Sequence, residues 1–281
     1  MFIQQNYDYL RHQLLMTGFG DALNAPLREN LEQGAEKFSL QHSRLFGEDE
    51  TLSTLHFSKA SNGDHYFFNA YDLVLRRPGE EEVKQHVFIN DKYNYTLKER
   101  YNLLNGRAVF KEQPVLSKDD STGKLVPNGQ TYLAWRDLDL KNRDKLGNFV
   151  SKTMYWEHKK ELQSYPIKEL SVPYDKNKLV ATLEKGDKAK VTIVKDDQEI
   201  KGLVAANPRQ QRLDFYDSQG QRMSVRKTEK QLQDQVKQLK APQLPASGEP
   251  AKPAQDKTAS QKQENTDEHA HQRTRHRLRL S

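Results

Sequence analysis

Three observations place this chain in the α+β class: N-terminal helices, two antiparallel β-rich lobes, a C-terminal amphipathic helix and a disordered tail. Two amphipathic stretches open the chain. A long series of short strands follows, with connections too brief for parallel crossovers. From Lys240 onward the 281-residue chain contains no aromatic residue. The expected divisions are an α+β lobe with the N-terminal helices (1–165), a smaller β-meander lobe (166–227), a basic amphipathic helix (228–240) and a disordered, basic-ended tail (241–281). The first ~230 residues are long enough to bury a core without staples.

The elements follow in order. Ile3, Tyr7, Leu10, Leu14 and Leu15 fall close to one helical stripe within residues 2–16, and the glycines of Thr17-Gly18-Phe19-Gly20 stop it. Pro26 suits the first turn of a second helix with Leu27 and Leu31 on one face, ending near Gly34. Residues 37–45 alternate like a strand. Residues 52–59 and 65–77 read as a hairpin closed by Ser61-Asn62-Gly63-Asp64, where Asn-Gly suits a type I′ turn. Residues 82–90 look like a third strand. Thr96 and Glu99 form a capping-box pattern for a helix through Leu104, and Gly106 stops it.

Strands are then expected over 107–115, 131–140 and 148–155. Residues 118–130, rich in charge, Gly and Pro, read as a long surface loop. Helices are expected over 156–164 and 175–184, followed by four quick strands at 189–195, 199–206, 211–216 and 222–226, a meander. Thr228-Glu229-Lys230-Gln231 is a second capping-box pattern, with Leu232, Val236 and Leu239 on one face of the helix it would start. Beyond it, Pro, Ala, Gln, Lys and Ser dominate, too apolar-poor to offset the entropy of ordering.

The sequence echoes itself. Leu103-Leu-Asn-Gly106-Arg107 leads to Leu138-Asp139-Leu140, and Leu183-Glu-Lys-Gly186-Asp187 leads to Leu213-Asp214-Phe215. Either a duplication or chance produces such a pattern, because glycine-stopped helices before strands are common. The run Leu183-Glu-Lys-Gly186, Val204-Ala-Ala-Asn207-Pro208, Arg212-Leu-Asp214-Phe215-Tyr216-Asp217 and Gly220-Gln-Arg222 resembles a repeat of uncharacterised Bacteroidetes proteins. So do Leu55-His-Phe57-Ser-Lys59, Tyr66-Phe-Phe-Asn69-Ala70-Tyr71-Asp72 and Tyr101-Asn-Leu-Leu104-Asn105-Gly106-Arg107-Ala-Val109. That family is a domain of unknown function, often encoded near conjugative and other mobile elements and sometimes labelled topoisomerase-like. The resemblance spans about residues 5–225 by inspection. It implies a bacterial mobile-element setting. The family has no established catalytic residues, so it supplies none here. The topoisomerase label would require a tyrosine nucleophile with an arginine cluster, or a metal-binding Asp-x-Asp, and neither stands out.

The chemistry-bearing patterns are sparse. There is no cysteine, which excludes disulfides, thiolate metal sites and a cysteine nucleophile. Glu157-His158-x-x-Glu161 resembles a ligand or acid/base trio, but the flanking Lys159 and Lys160 favour a solvated helix face. Asp137-Leu-Asp139 puts two carboxylates on one strand face, which fits a polar face better than a metal site without further ligands. Asn62-Gly63-Asp64-His65 is explained by turn chemistry. No phosphate-binding glycine motif and no Gly-x-Ser-x-Gly elbow occurs. No cofactor and no metal are expected, and an enzyme would need a site the sequence does not reveal.

Charge carries the functional expectation. Residues 1–221 hold 32 Lys+Arg and 32 Asp+Glu, whereas the last 60 hold 13 and 7, so the net +6 lies wholly in Arg222–Ser281. Candidate nucleic-acid-binding residues are Arg222, Arg226, Lys227, Lys230, Arg273, Arg275, Arg277 and Arg279. Arginine pairs a permanent charge with a planar fork that grips phosphate. A solvated terminus would look the same, and the tail lacks the aromatics that single-strand binders stack on. The expectation is a non-enzymatic accessory or adaptor protein that binds DNA or RNA non-specifically. The alternative is a protein-interaction module using a sheet surface or the Leu232/Val236/Leu239 face. No secretory signal and no membrane span are discernible, so a cytoplasmic location is expected.

Overall fold

The computed structural model describes residues 3–90, 92–196 and 198–228, all within one compact unit. The helix expected over 228–240 and the tail expected over 241–281 lie outside the described residues, Thr228 apart. The architecture is α+β, with five α-helices and three antiparallel sheets among the described residues.

Helices α1 (Gln4–Met16) and α2 (Asn24–Gln33) bury Tyr7, Leu10, Leu14, Leu27 and Leu31. They cover one face of a four-stranded meander, β1 (Lys37–Phe46), β2 (Asp49–Lys59), β3 (Tyr66–Arg76) and β4 (Val83–Phe88), paired in sequence order. Asn6 pins α1 to β3. Its side chain donates to Tyr66 O at 3.0 Å and accepts from Tyr66 N at 2.7 Å. The β2–β3 connection is not the expected two-residue type I′ turn. Pairing runs out to Ala60 N donating to His65 O, leaving the four residues Ser61–Asp64 as the loop. Only Gly63, at φ +124°, has a positive φ there, whereas type I′ needs two such residues.

Helix α3 (Leu97–Leu104) carries the expected capping box: Glu99 N donates to Thr96 Oγ1 at 3.2 Å, and Thr96 N donates to Glu99 Oε2 at 2.7 Å. It leads into a three-stranded sheet, β5 (Val109–Lys118), β6 (Leu125–Arg143) and β7 (Phe149–Met154), with β6 central. The long loop expected over 118–130 is instead the end of a β5–β6 hairpin. Asp119 closes the reversal, its Oδ1 accepting from the backbone N–H of Ser121 and Thr122 and from both hydroxyls. Pro114, which has no N–H to give, sits at a register shift before Leu116. Charge, Gly and Pro suit an exposed ribbon as well as a loop, and composition alone does not separate the two.

The last lobe comprises α4 (His158–Leu162), a 3-10 turn (Lys168–Ser171), α5 (Pro173–Glu184) and a sheet of β8 (Ala189–Lys195), β9 (Gln198–Asn207), β10 (Arg212–Tyr216) and β11 (Arg222–Met223). The sheet is the meander expected from its short turns. The α4 helix is five residues, shorter than expected. The core of this lobe gathers Leu162, Tyr165, Leu179, Leu183, Val191, Ile193, Val204, Leu213 and Phe215.

Strand β6 joins the two cores. Val109, Leu138 and Phe149 belong to the first core. On the opposite face Trp135 is fully buried against Phe110 (5.3 Å between centroids), His158 (4.9 Å) and Trp156 (5.8 Å), and Trp156 packs on the second core. The two helix–glycine units of the sequence echo also meet. Asn102 Nδ2 donates to Lys185 O (2.7 Å) and Asp187 Oδ1 (2.9 Å), and Arg107 Nε donates to Gly186 O (3.0 Å). The remainder of the echo fails. Leu138-Asp139-Leu140 lies on the second strand after its helix, whereas Leu213-Asp214-Phe215 lies on the third.

Trp135→Ala should cost about 3–5 kcal/mol in a denaturant titration, because a large ring leaves a cavity. Trp135→Phe should cost much less, since the indole N–H it removes has no acceptor among the described residues. A glycine pair gives a second measurement. Gly34 and Gly186 have φ +75° and +78°, but a Cβ at Gly34 meets nothing, and one at Gly186 would lie 2.8 Å from Ala108 O. Gly34→Ala should therefore cost about 1 kcal/mol from backbone strain, and Gly186→Ala more by the cost of that clash.

Candidate functional site

The patterns singled out in the sequence are mostly consumed by the fold. His158 is not on a solvated face: it is buried, its Nε2 lies 2.9 Å from Glu184 Oε1, and its ring packs on Trp135 and Phe110. The flanking lysines hide this, because a one-turn helix turns one residue inward while its neighbours stay wet. Glu161 points elsewhere, to the Tyr165 hydroxyl and Lys227, both at 3.1 Å. Asp137 is buried and ion-paired with Arg209. Asp139 bonds Lys152 (2.7 Å) and Asn142 (2.9 Å), and these bonds hold its carboxyl well below the usual range. Asp64 pairs with Lys59 at 2.7 Å. Among the described residues, no three histidine or carboxylate side chains are placed to hold a metal.

One cluster has no signal in the sequence reading. On the solvent face of the first sheet, Asp72 bridges His56 Nε2 and His86 Nδ1, each at 2.6 Å, and Ser39 Oγ lies 3.1 Å from His56 Nδ1. Burial pushes the Asp72 carboxyl up, but the bonds from His86 and His56 outweigh it and pull it down. The register places these side chains together: Ser39 lies opposite His56, and Asp72 opposite His86. Asp72 and His86 also line an open pocket of about 240 Å³, with Gln85, Leu146 and Asn148 beside them.

Positive charge outnumbers negative in the lining of a cleft of about 300 Å³. One wall is the segment Asn105–Ala108 that follows α3. The other is built from Ala205–Arg209, Asp214, Tyr216 and Arg222, with Lys188 and Asp137 completing the lining. Four cations thus face two carboxylates. Asp137 is taken by Arg209, which also donates to Leu138 O at 2.9 Å. Asp214 is taken twice, by Arg212 at 3.0 Å and Arg222 at 2.8 Å. Arg107 and Lys188 meet no carboxylate among the described residues. Arg107 is held by the Gly186 carbonyl and, at 2.6 Å, by Asn102 Oδ1. Lys188 Nζ lies 4.2 Å above the Tyr216 ring. Burial lowers the Lys188 pKa, and the nearby Arg107 charge lowers it further.

Of the residues expected to contact nucleic acid, Arg222 lies on this cleft and Arg226 is exposed. Lys227 is engaged by Glu161 and lies 5.8 Å from the centre of the Tyr165 ring. Lys230, Arg273, Arg275, Arg277 and Arg279 lie outside the described residues. Sequence reasoning misses Arg107 and Lys188. Their one sequence signal is the echo, which places each within two residues of a helix-stopping glycine.

Comparison with family models, with curated proteins and with solved structures finds no match to this chain. No helix among the described residues is long and apolar enough to cross a membrane.

The His158–Glu184 contact makes a pH prediction. Burial pushes the Glu184 carboxyl up, but the bonds from His158 and Lys159 bring it below its ordinary 4.5. A depressed carboxyl adds stability that is complete above the ordinary value and is lost as pH falls through the lowered one. Glu184→Gln should therefore be less stable than the parent at neutral pH. The gap should close as denaturation curves are taken from about pH 5 to about pH 3.

Proposed function

We propose that this is a non-enzymatic accessory protein that holds nucleic acid without reading its sequence. In this reading the phosphate contacts are Arg222 and Arg226 and, later in the sequence, Lys230 and the arginines Arg273, Arg275, Arg277 and Arg279. The 228–240 segment would form an amphipathic helix and 241–281 a disordered basic arm. The observation that carries the reading is the cleft itself, where two cations are left without a carboxylate among the described residues, beside the point at which the chain's charge excess begins. Phosphate contacts of this kind position a polyanion and carry no base information. Lys227, held by Glu161, contributes least. The bacterial mobile-element setting rests on the resemblance of the Leu183–Arg222 run and its companions, and a cytoplasmic location goes with it.

A second reading has its own support. The β5–β6 ribbon exposes Leu116 and Leu125 on one face, which favours a protein partner there.

Fluorescence-anisotropy titrations of a single-stranded oligonucleotide at several salt concentrations separate the readings. The full chain should bind weakly, with log K falling linearly in log[salt]. The doubly substituted Arg222→Gln/Arg226→Gln chain should bind more weakly, its slope shallower by roughly 0.7 for each phosphate it no longer neutralises. Arg212 keeps Asp214 paired in that variant. No binding by the full chain would remove the nucleic-acid reading and leave the ribbon reading.

A further inference from the structure

We propose that Arg107 and Lys188 form a preorganised seat for one phosphate group, and that the group it takes is a backbone phosphate of the bound nucleic acid. The seat stands on the cleft's geometry. The polymer that brings the phosphate rests on the function proposed above.

The argument begins with what the other cleft cations do. Arg209 is consumed by Asp137, and Arg222 shares Asp214 with Arg212. Arg107 and Lys188 are held instead by uncharged groups, so holding them in place does not neutralise them. Arg107 gives Nε to Gly186 O and Nη2 to Asn102 Oδ1, and its guanidinium carbon lies 5.3 Å from the centre of the Tyr101 ring. Guanidinium has five N–H donors, and these bonds use two. Asn102 is fixed in turn: it is fully buried and its amide bonds Lys185 O and Asp187 Oδ1. Asp187 is occupied by Asn102 and by Lys98 at 3.3 Å. Lys188 keeps all three ammonium donors, making no hydrogen bond or ion pair among the described residues while its Nζ faces the Tyr216 ring.

Two like charges facing one cleft repel, and Arg107 adds to the burial that lowers the Lys188 pKa. An anion between them removes the penalty. The lining carries an excess of two positive charges; a backbone phosphodiester brings one negative charge, as a carboxylate does, so the choice of phosphate rests on the function proposed above. Guanidinium adds a fork that fits two phosphate oxygens. A space of about 300 Å³ open to solvent admits a group attached to a longer chain. Chance crowding of two surface cations would give the same charges but no selective, Lys188-dependent binding, and that difference is measurable.

Lys188→Gln is the variant of choice, because Lys188 makes no bond that the fold needs, whereas Arg107 locks two helix ends. Two readouts are taken on the full chain. The first is the thermal midpoint with inorganic phosphate or pyrophosphate, against sodium chloride at equal ionic strength. The second is oligonucleotide affinity. The parent should gain midpoint with phosphate beyond the chloride control, Lys188→Gln should not, and Lys188→Arg should recover the gain. Oligonucleotide affinity should drop about tenfold in Lys188→Gln, the scale of one charge-assisted contact. If phosphate stabilises parent and Lys188→Gln alike, or neither, the seat is wrong. Oligonucleotide binding that is equal in both proteins would leave the nucleic-acid reading intact and overturn the assignment of a backbone phosphate to the seat. Lys188-dependent phosphate binding with no oligonucleotide binding would keep the seat and overturn the polymer. A stronger Lys188-dependent response to polyglutamate than to pyrophosphate would overturn the choice of phosphate over carboxylate.

Discussion

The burial of both faces of β6 is the constraint on which the rest of the structure depends. A strand covered on one side alternates buried and exposed residues. Here Ala134 and Trp135 are both fully buried, and Asp137 and Leu138 nearly so. Leu138 faces the core formed with α1, α2 and the first sheet, while Trp135 faces Trp156 and His158. The three-stranded sheet is therefore a middle layer. Each lobe loses a wall without it, which is why the described residues form one compact unit although their apolar side chains gather into two clusters. A doubly covered strand also places one charged residue where it must be neutralised, and Asp137 finds Arg209, 72 residues away in sequence.

The second tie is the junction of α3 and α5. The C-terminal ends of both helices have unpaired carbonyls to satisfy. Asn102 and Arg107 answer that need across the lobes, donating to Lys185 O and Gly186 O. The approach is possible because Gly186 has no Cβ to strike the Ala108 carbonyl. Arg107 thus serves the fold through one edge of its guanidinium and borders the cleft with the rest. Its position is set by packing, so its charge is presented without the entropy of a free surface arginine.

Much of the fold is legible in the sequence because its signals are local. The Thr96/Glu99 capping box, the glycine stops and the short turns of the last sheet each need only a few neighbouring residues, and each stands where the pattern puts it. What is illegible depends on distant partners. His158 reads as wet because Lys159 and Lys160 are wet; its burial is decided by Trp135 and Glu184. The 118–130 segment reads as a loop because a solvated hairpin and a solvated loop have the same composition. The cleft joins Arg107 to Lys188, residues that only the packing of two helix ends brings together. The sequence echo marks both places, yet its Leu-Asp half aligns strands that occupy different positions in their sheets.

The charge balance shows why a formal sum is a poor guide to a surface. Residues 1–221 sum to zero, yet charges act over a Debye length of about 8 Å at physiological salt, not over a domain. In the cleft lining, Asp137 and Asp214 are already matched by arginines, and Arg107 with Lys188 remains in excess. The zero sum removes long-range attraction between the body and a polyanion, without removing a short-range hold. Under the proposed function the two halves of the chain divide the work on physical grounds. The basic residues after Gln221 supply the long-range, salt-sensitive pull. The cleft supplies a short-range contact whose place is set by the packing of two helix ends.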